Sequence, residues 1–300
     1  MKNPLVYAIT LNWNRKDDTL ACLESLVRQT SPELKILVVD NHSTDGSPQA
    51  IARLYPQVEQ IINPENLGFA AGFNIGLKYA LDAGADYLFI LNNDTILAPD
   101  CLERLLQPAN AQVGILAPLI YYADQPQRIW ALAGSTNPLL LEKHDPWAER
   151  DDPGDLPEII DGDFVTGCAM LFPRWALESI GLFDEKFRMY YEDADICLRV
   201  RQAGLRICTV TQAQMWHKVA SSSGGSDAPA ERYWMAHSSI HYFRKHARGW
   251  QIPAIAFWRT GSALRTTARL AGARKWAALG AYWRGLKDGL MNARVGERNS

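Results

Sequence analysis

Glu192 and Asp193 stand side by side in the stretch FRMYYEDADICLRV, with Asp195 two positions further on. A helix starting there holds acidic residues at its N-terminus, where the dipole favours them. That accounts for one or two carboxylates but not for Met189, Tyr190 and Tyr191 just before them. Such a mixture makes the wall of a pocket with a carboxylate at its rim. A carboxylate there accepts a proton from a hydroxyl nucleophile once it reaches hydrogen-bonding distance. Tyr190, Tyr191 and Trp216 have the flat faces on which a sugar ring stacks.

A second set of polar residues recurs where strand-like runs end. Asn12 and Asn14 follow LVYAIT, Asp40 and Asn41 follow KILVV, and Asn92, Asn93 and Asp94 follow YLFIL. In open parallel sheets, ligands bind beyond the carboxyl ends of the strands. Asn and Asp also form turns and cap helices, and that plainer use suits Asn41 and Asp45. Gly68, Gly72 and Gly76 in ENLGFAAGFNIG do not match a dinucleotide fingerprint. The last two fit close packing of a helix on a sheet, while Asn66 and Gly68 could bring backbone N–H groups to a phosphate. His217, in QMWHK, pairs with Asp94 as a metal ligand only if a larger pattern supports it.

The elements that must position these residues follow from periodicity. Strands are expected at 5–12, 35–39, 58–62 and 87–91. Helices are expected at 17–28, from about Ser47, at 72–83, after Pro99 and at 193–204. This alternation predicts an α/β fold with a mostly parallel sheet covered on both faces. Residues 123–158 are broken by five prolines, and SSSGGSDAP at 221–229 reads as a flexible loop.

The 300 residues are 47% hydrophobic and 21% charged, as in ordinary globular chains. Five cysteines without a C-x-x-C pair suit a reducing, cytoplasmic compartment. No run of about 18 apolar residues predicts a membrane span. The net charge of −2 hides an asymmetry: 18 basic against 30 acidic residues up to 230, then 13 against 3. The chain therefore divides into a body, 1–230, and a basic, tryptophan-rich helical extension, 231–300. Trp276, Leu279, Trp283, Leu286 and Leu290 form one helical stripe flanked by Arg274, Lys275, Arg284 and Lys287. Such a helix favours an anionic membrane surface, making the protein peripheral to a membrane through 251–300. The competing cover is the body itself or a second copy in a homodimer. Nucleic acid fits poorly beside an acidic body.

Taken in order, LNWNR (11–15), VVDNHSTDGS (38–47), ENLGFAAGFN (65–74), LNND (91–94), TGCAML (166–171) and YYEDADICLRVRQAG (190–204) resemble the family 2 inverting glycosyltransferases of the GT-A fold, and within them the bacterial rhamnosyltransferase-like branch. The resemblance runs over about residues 5–245. It implies a GT-A, Rossmann-like sheet flanked by helices with a helical C-terminal extension. It also implies a nucleotide-diphospho-sugar donor, guessed as dTDP-rhamnose or a UDP-sugar, and a glycan or lipid-linked acceptor. By position, Thr10, Asn12, Asn14 and Asp40 would meet the nucleoside, with Asp40 reading the base edge. Asn66, Gly68 and Asn74 would line the donor site, and Gly167, Cys168, Tyr190, Tyr191 and Trp216 the sugar and acceptor pocket. Asn92-Asn93-Asp94 takes the place of the family's Asp-x-Asp motif, Asp193 that of its general base beside Glu192, and His217 that of a late histidine at the metal. Asn92 replaces the first Asp of that motif and removes one charge. Asp94 and His217 would then hold Mg²⁺ or Mn²⁺ with help from diphosphate and water. A sugar-nucleotidyltransferase would need a glycine-rich triphosphate loop that LNWNRKDD lacks. A non-catalytic sugar-nucleotide or glycan-binding module would not need the Glu192-Asp193 pair.

Overall fold

The computed structural model describes residues 3–31, 33–219 and 227–296. The first half of the chain alternates strands and helices: β1 (Val6–Asn12), α1 (Lys16–Val27), β2 (Leu34–Asp40), α2 (Ser47–Leu54), β3 (Glu59–Ile62), α3 (Phe69–Asp82), β4 (Tyr87–Asn92), β5 (Thr95–Leu97) and α4 (Cys101–Leu106). The middle holds β6 (Val113–Tyr122), β7 (Ile129–Ala131), β8 (Ser135–Thr136), β9 (Lys143–His144), β10 (Ile159–Gly162) and β11 (Ala169–Pro173). Then come α5 (Arg174–Ile180), α6 (Glu192–Gln202), β12 (Arg206–His217), α7 (Pro229–His246), α8 (Ile252–Gly272) and α9 (Trp276–Gly296). Most of the 221–229 loop expected from composition lies outside the described residues.

The main sheet runs β10-β12-β6-β11-β4-β1-β2-β3, with β5 added on β12 and β7 on β6. Strands β4, β1, β2 and β3 are parallel, as the alternation predicts. β1, β2 and β4 are apolar over most of their length because both faces are covered, while β3 is the half-exposed edge strand. Val6 and Ala8 join one core with Cys22, Leu23, Leu26 and Ile51. Tyr7 and Ile9 point the other way, into Phe73 and Leu77 of α3. Gly76 permits that approach, since a Cβ there would lie 2.6 Å from Ile9 Cγ2. The other half of the sheet is mixed: β11 lies antiparallel between β4 and β6.

Register decides which residues meet. Asn12 pairs with Asp40, and Leu11 with Asn92, so three strands end level at one edge. Because β11 runs the opposite way, its start reaches that edge too, and Asn92 N donates to Cys168 O at 2.9 Å. β12 is a long strand of 12 residues. It continues to His217, which pairs with Thr95 of β5 beside Asp94.

Helix α7 packs on α6 through Tyr242 and Phe243, which share a core with Phe187, Ala194 and Ile255. α9 meets α7 through small residues. Side chains added at Gly285 and Gly289 would run into the backbone carbonyls of Tyr233 and His237, and Ala278, Ala281 and Tyr282 are buried beside them. The large residues of the apolar stripe face outward, Trp276 63% exposed, Trp283 47% and Leu290 50%, with Leu279 and Leu286 half-buried between them. On α8, Phe257 is 84% exposed. Among the described residues no helix is long and apolar enough to cross a membrane.

Candidate active site

A cavity of about 510 Å³ opens at the strand edge. Its walls include Asn92, Asn93 and Asp94 from the β4–β5 turn, Asn66 and Gly68 before α3, and Thr166, Gly167 and Cys168 before β11. Met189, Tyr190, Glu192 and Asp193 form the wall at α6. Asp94 and Asp193, 99 positions apart in the chain, thus face one space.

The floor is a buried polar network. Thr19 Oγ1 donates to Asn12 Oδ1 at 2.7 Å, and Asn12 Nδ2 donates to Asp40 Oδ2 at 2.6 Å. Asn93 Nδ2 donates to Asn12 Oδ1 at 3.2 Å and to Thr19 Oγ1 at 2.8 Å. Asp40 Oδ1 accepts from Ser43 N at 2.7 Å, and Asn14 Oδ1 from Thr44 N at 2.7 Å. A network satisfied in this way is rigid, and here it fixes the β4–β5 turn and the loop after β2.

The α6 wall is strained. Tyr190 and Tyr191 both lie in the left-handed region, at φ 67° and 68°. Two successive non-glycine residues there are uncommon and cluster at functional sites. The twist sends Tyr190 to the cavity and Tyr191 into the core, 5.2 Å from the Tyr242 ring. The next segment is pinned at Gly68, whose φ of 84° and missing Cβ let the Arg188 carbonyl accept from Phe69 N at 2.7 Å.

Asp193 Oδ1 accepts from Ala194 N at 2.7 Å and faces Lys143 Nζ at 3.2 Å, while Oδ2 faces Gly167 N at 3.4 Å. Gly167 is close enough that a Cβ would sit 3.4 Å from Asp193 Cβ. Lys143 lies 4.2 Å from the Phe164 ring centre and 5.2 Å from that of Tyr191. Burial alone would lower the Lys143 ammonium, but Asp193, together with Tyr191 and Glu192, outweighs it and the net is a rise. Glu192 is the opposite case: burial first, then Asp193, push its carboxyl up to about 8.

Across the cavity His217 Nε2 lies 3.1 Å from Asp94 Oδ1, and the imidazole packs against Trp130 with ring centres 4.3 Å apart. Burial opposes its charge, yet Cys168 and Asp94 outweigh that and hold it above its ordinary value. Burial pushes the Cys168 thiol up, so it is a packing group rather than a nucleophile.

Several expected residues stand elsewhere. Thr10, Asn12, Asn14 and Asp40 are not on the cavity wall; Asp40 is fully buried and spends both oxygens on Asn12 and Ser43. Asn74 faces away: it donates to Phe183 O at 2.9 Å and accepts from Phe183 N at 3.0 Å, bracing the loop before α6. Trp216 is also turned away, stacked on Tyr121 at 6.1 Å, because neighbours on a strand point to opposite faces and His217 holds the cavity side. Trp13, Arg15, Trp130 and Glu231 line the cavity without having been singled out. Lys143 was missed too; it lies in the proline-broken segment, where no period marks it.

Residues 7–180 match the model of Glycosyl transferase family 2. The chain is 30% identical over 269 residues to the N-acetylglucosaminyl-diphospho-decaprenol L-rhamnosyltransferase of Mycobacterium tuberculosis, covering 81% of this chain and 86% of that one. It is 21% identical to the dTDP-rhamnosyl transferase RfbF of Shigella flexneri, over 81% of each. Among solved structures it resembles the mannosyltransferase PcManGT from Pyrobaculum calidifontis in complex with GDP-Man and Mn²⁺ (TM-score 0.57, 20% identity, 98% of this chain and 87% of that one). That likeness carries the GT-A fold.

Proposed function

The chain belongs to glycosyl transferase family 2 and is a rhamnosyltransferase-like glycosyltransferase; from that premise we propose that it moves a sugar, with inversion, from a nucleoside-diphosphate donor to a hydroxyl of a glycan or lipid-linked acceptor. The observation that carries this is the meeting of Asp94 and Asp193 in one cavity. In the proposed step Asp193 takes the acceptor hydroxyl's proton. The new bond from that oxygen to the anomeric carbon forms as the bond to phosphate breaks, and the electron pair leaves with the nucleoside diphosphate. Base and leaving group lie on opposite faces of the sugar, so the centre inverts. Lys143 and the amides of Gly167 and Ala194 hold Asp193 in place for this. dTDP-rhamnose is the favoured donor, because the Shigella relative is named for dTDP-rhamnosyl transfer.

The wall residues carry four carboxylates, Asp94, Glu192, Asp193 and Glu231, against Arg15 and His217 as basic groups. A diphosphate beside Asp94 needs a further cation. Asp94 and His217 fit a divalent ion as partial ligands; among the described residues no group of three His, Cys, Asp or Glu is arranged to hold one alone. Mg²⁺ or Mn²⁺ completed by diphosphate and water would supply Lewis-acid stabilisation of the leaving oxygens. We expect dTDP-rhamnose to raise the melting temperature more in the presence of Mn²⁺ than with a chelator, since a ligand of the native state stabilises it. Asp94→Ala should abolish that difference. Equal donor stabilisation with and without chelator in the native protein would refute the metal.

The outward face of α8 and α9 supports a membrane partner. Phe257, Leu264, Trp276, Trp283 and Leu290 are exposed on helices that also carry Arg265, Arg284 and Lys287, with Arg274 and Lys275 in the turn between the two. Exposed aromatics beside basic groups bind an anionic lipid surface, where a lipid-linked acceptor would be met. The protein should float with phosphatidylglycerol liposomes, and Phe257→Glu with Trp283→Glu should leave it in solution. Equal flotation of the two proteins would remove this partner; a homodimer buried through the same face would appear as a mass change in the double variant.

A further inference from the structure

The mechanism above uses one of two adjacent carboxyls and leaves the more deeply buried one idle. Glu192 is 6% exposed, lines the cavity, and its Oε2 has no hydrogen-bond partner among the described residues. A buried polar atom without a partner is costly unless a ligand supplies one. Asp193 is the contrast, its two oxygens engaged by Lys143, Ala194 N and Gly167 N. We propose that Glu192 is a substrate-binding residue that works as a neutral acid, donating a hydrogen bond from its unpartnered carboxyl oxygen to an oxygen of the bound sugar, while Lys143 is engaged by Asp193. This rests on the reading of Asp193 as the base.

The physical reason is a shortage of counter-charge. On the protein side the pair is faced by Lys143 and Tyr191, with Tyr242 and the Glu142–Arg259 ion pair behind them. Across the cavity stand Asp94, His217, Glu231 and Arg15. Among the described residues Lys143 is the ammonium that reaches the pair, and its contact goes to Asp193. A second negative charge next to it would be buried and unpaired, so Glu192 keeps its proton up to about pH 8. A neutral carboxyl both donates and accepts, which suits a sugar hydroxyl, whereas an ionised one would only accept.

Substitution at 192 separates the alternatives. Glu192→Ala should lower kcat/KM by about tenfold or more, the loss of a buried hydrogen bond to substrate. Glu192→Gln, which keeps a neutral donor and the same shape, should recover most of that loss. It should also remove the fall in activity expected of the native enzyme as pH rises through about 8. Gln as damaging as Ala, native activity in Ala, or an alkaline limb unchanged in Gln would each overturn the assignment. Melting curves of all variants check folding, and the Glu192→Gln profile decides even if Ala fails to fold. Asp193→Asn keeps the two readings apart: if it still transfers sugar, the base assignment fails, while the Gln-against-Ala contrast stands or falls on its own.

Discussion

Asn in place of Asp193 should leave a folded protein whose sugar transfer has fallen by about 10²–10⁴-fold, the usual contribution of a positioned general base. The substitution keeps the shape of the side chain and removes its ability to take a proton. The Ala194 amide can still meet an oxygen at position 193, so the start of α6 should hold. The ion pair with Lys143 is lost, but that lysine keeps its packing on Phe164 and Tyr191. In the proposed function the donor is held on the opposite side of the cavity, at Asp94 and His217. Metal-dependent stabilisation by dTDP-rhamnose should therefore persist in the variant while transfer to acceptor collapses. That split between binding and turnover separates a lost base from a damaged site. Native turnover in Asp193→Asn would remove Asp193 from the chemistry, whatever its position.

The second large effect concerns a group that touches no substrate. Asp195 is wholly buried. It accepts from Arg199 Nε at 2.9 Å and lies 2.7 Å from both Lys245 Nζ and His246 Nε2. Lys245 and His241 also reach Asp184. This cluster clamps the end of α7 onto α6 just behind the Glu192-Asp193 pair. Replacing Asp195 with Ala leaves cationic groups crowded around an uncompensated space, which typically costs about 3–5 kcal/mol. Urea unfolding at pH 7 measures it, and a loss below about 1 kcal/mol would mean the cluster is dispensable. The pH dependence has a definite sign. Burial would raise the Asp195 carboxyl, but His246 and Lys245 outweigh it and hold it below the ordinary carboxylate value. Its contribution is present above the unfolded-state value of about 3.9 and is lost as pH falls through the lower folded value. The native protein should therefore lose stability in that acid window, and Asp195→Ala should lose less of its own.

Much of the site was readable because polar residues ended apolar runs. Asn92, Asn93, Asp94, Glu192, Asp193 and His217 all reach the cavity. Gly72 and Gly76 were read as packing glycines, and each abuts the sheet at Leu11 or Ile9. Trp216 could have been corrected from sequence alone, since a strand that points His217 inward must point its neighbour outward. Asn74 could not. Its helix places it near the site, and only the path of the loop at Phe183 shows that its amide is already spent. The same holds for Asp40, where the register with Asn12 puts the carboxylate beneath the wall rather than on it. Lys143 was invisible because a two-stranded hairpin, β8 with β9, carries it to Asp193 across 50 residues of chain.

The amino-acid sequence by itself determined most elements of the first hundred residues, the parallel half of the sheet and the edge where its strands end in polar residues. These follow from local periodicity and from where each apolar run stops, and neighbouring residues are enough to set both. Tertiary structure alone decided which polar side chains reach the cavity and which are consumed in holding it. It also decided which face of α9 is covered: hydrophobic spacing singled out the large residues, yet the helix docks through Ala278, Ala281 and two glycines and leaves the tryptophans outside. The reason is geometric. Burial depends on which surface comes near enough to close, and small residues let two helix backbones approach where bulky ones hold them apart.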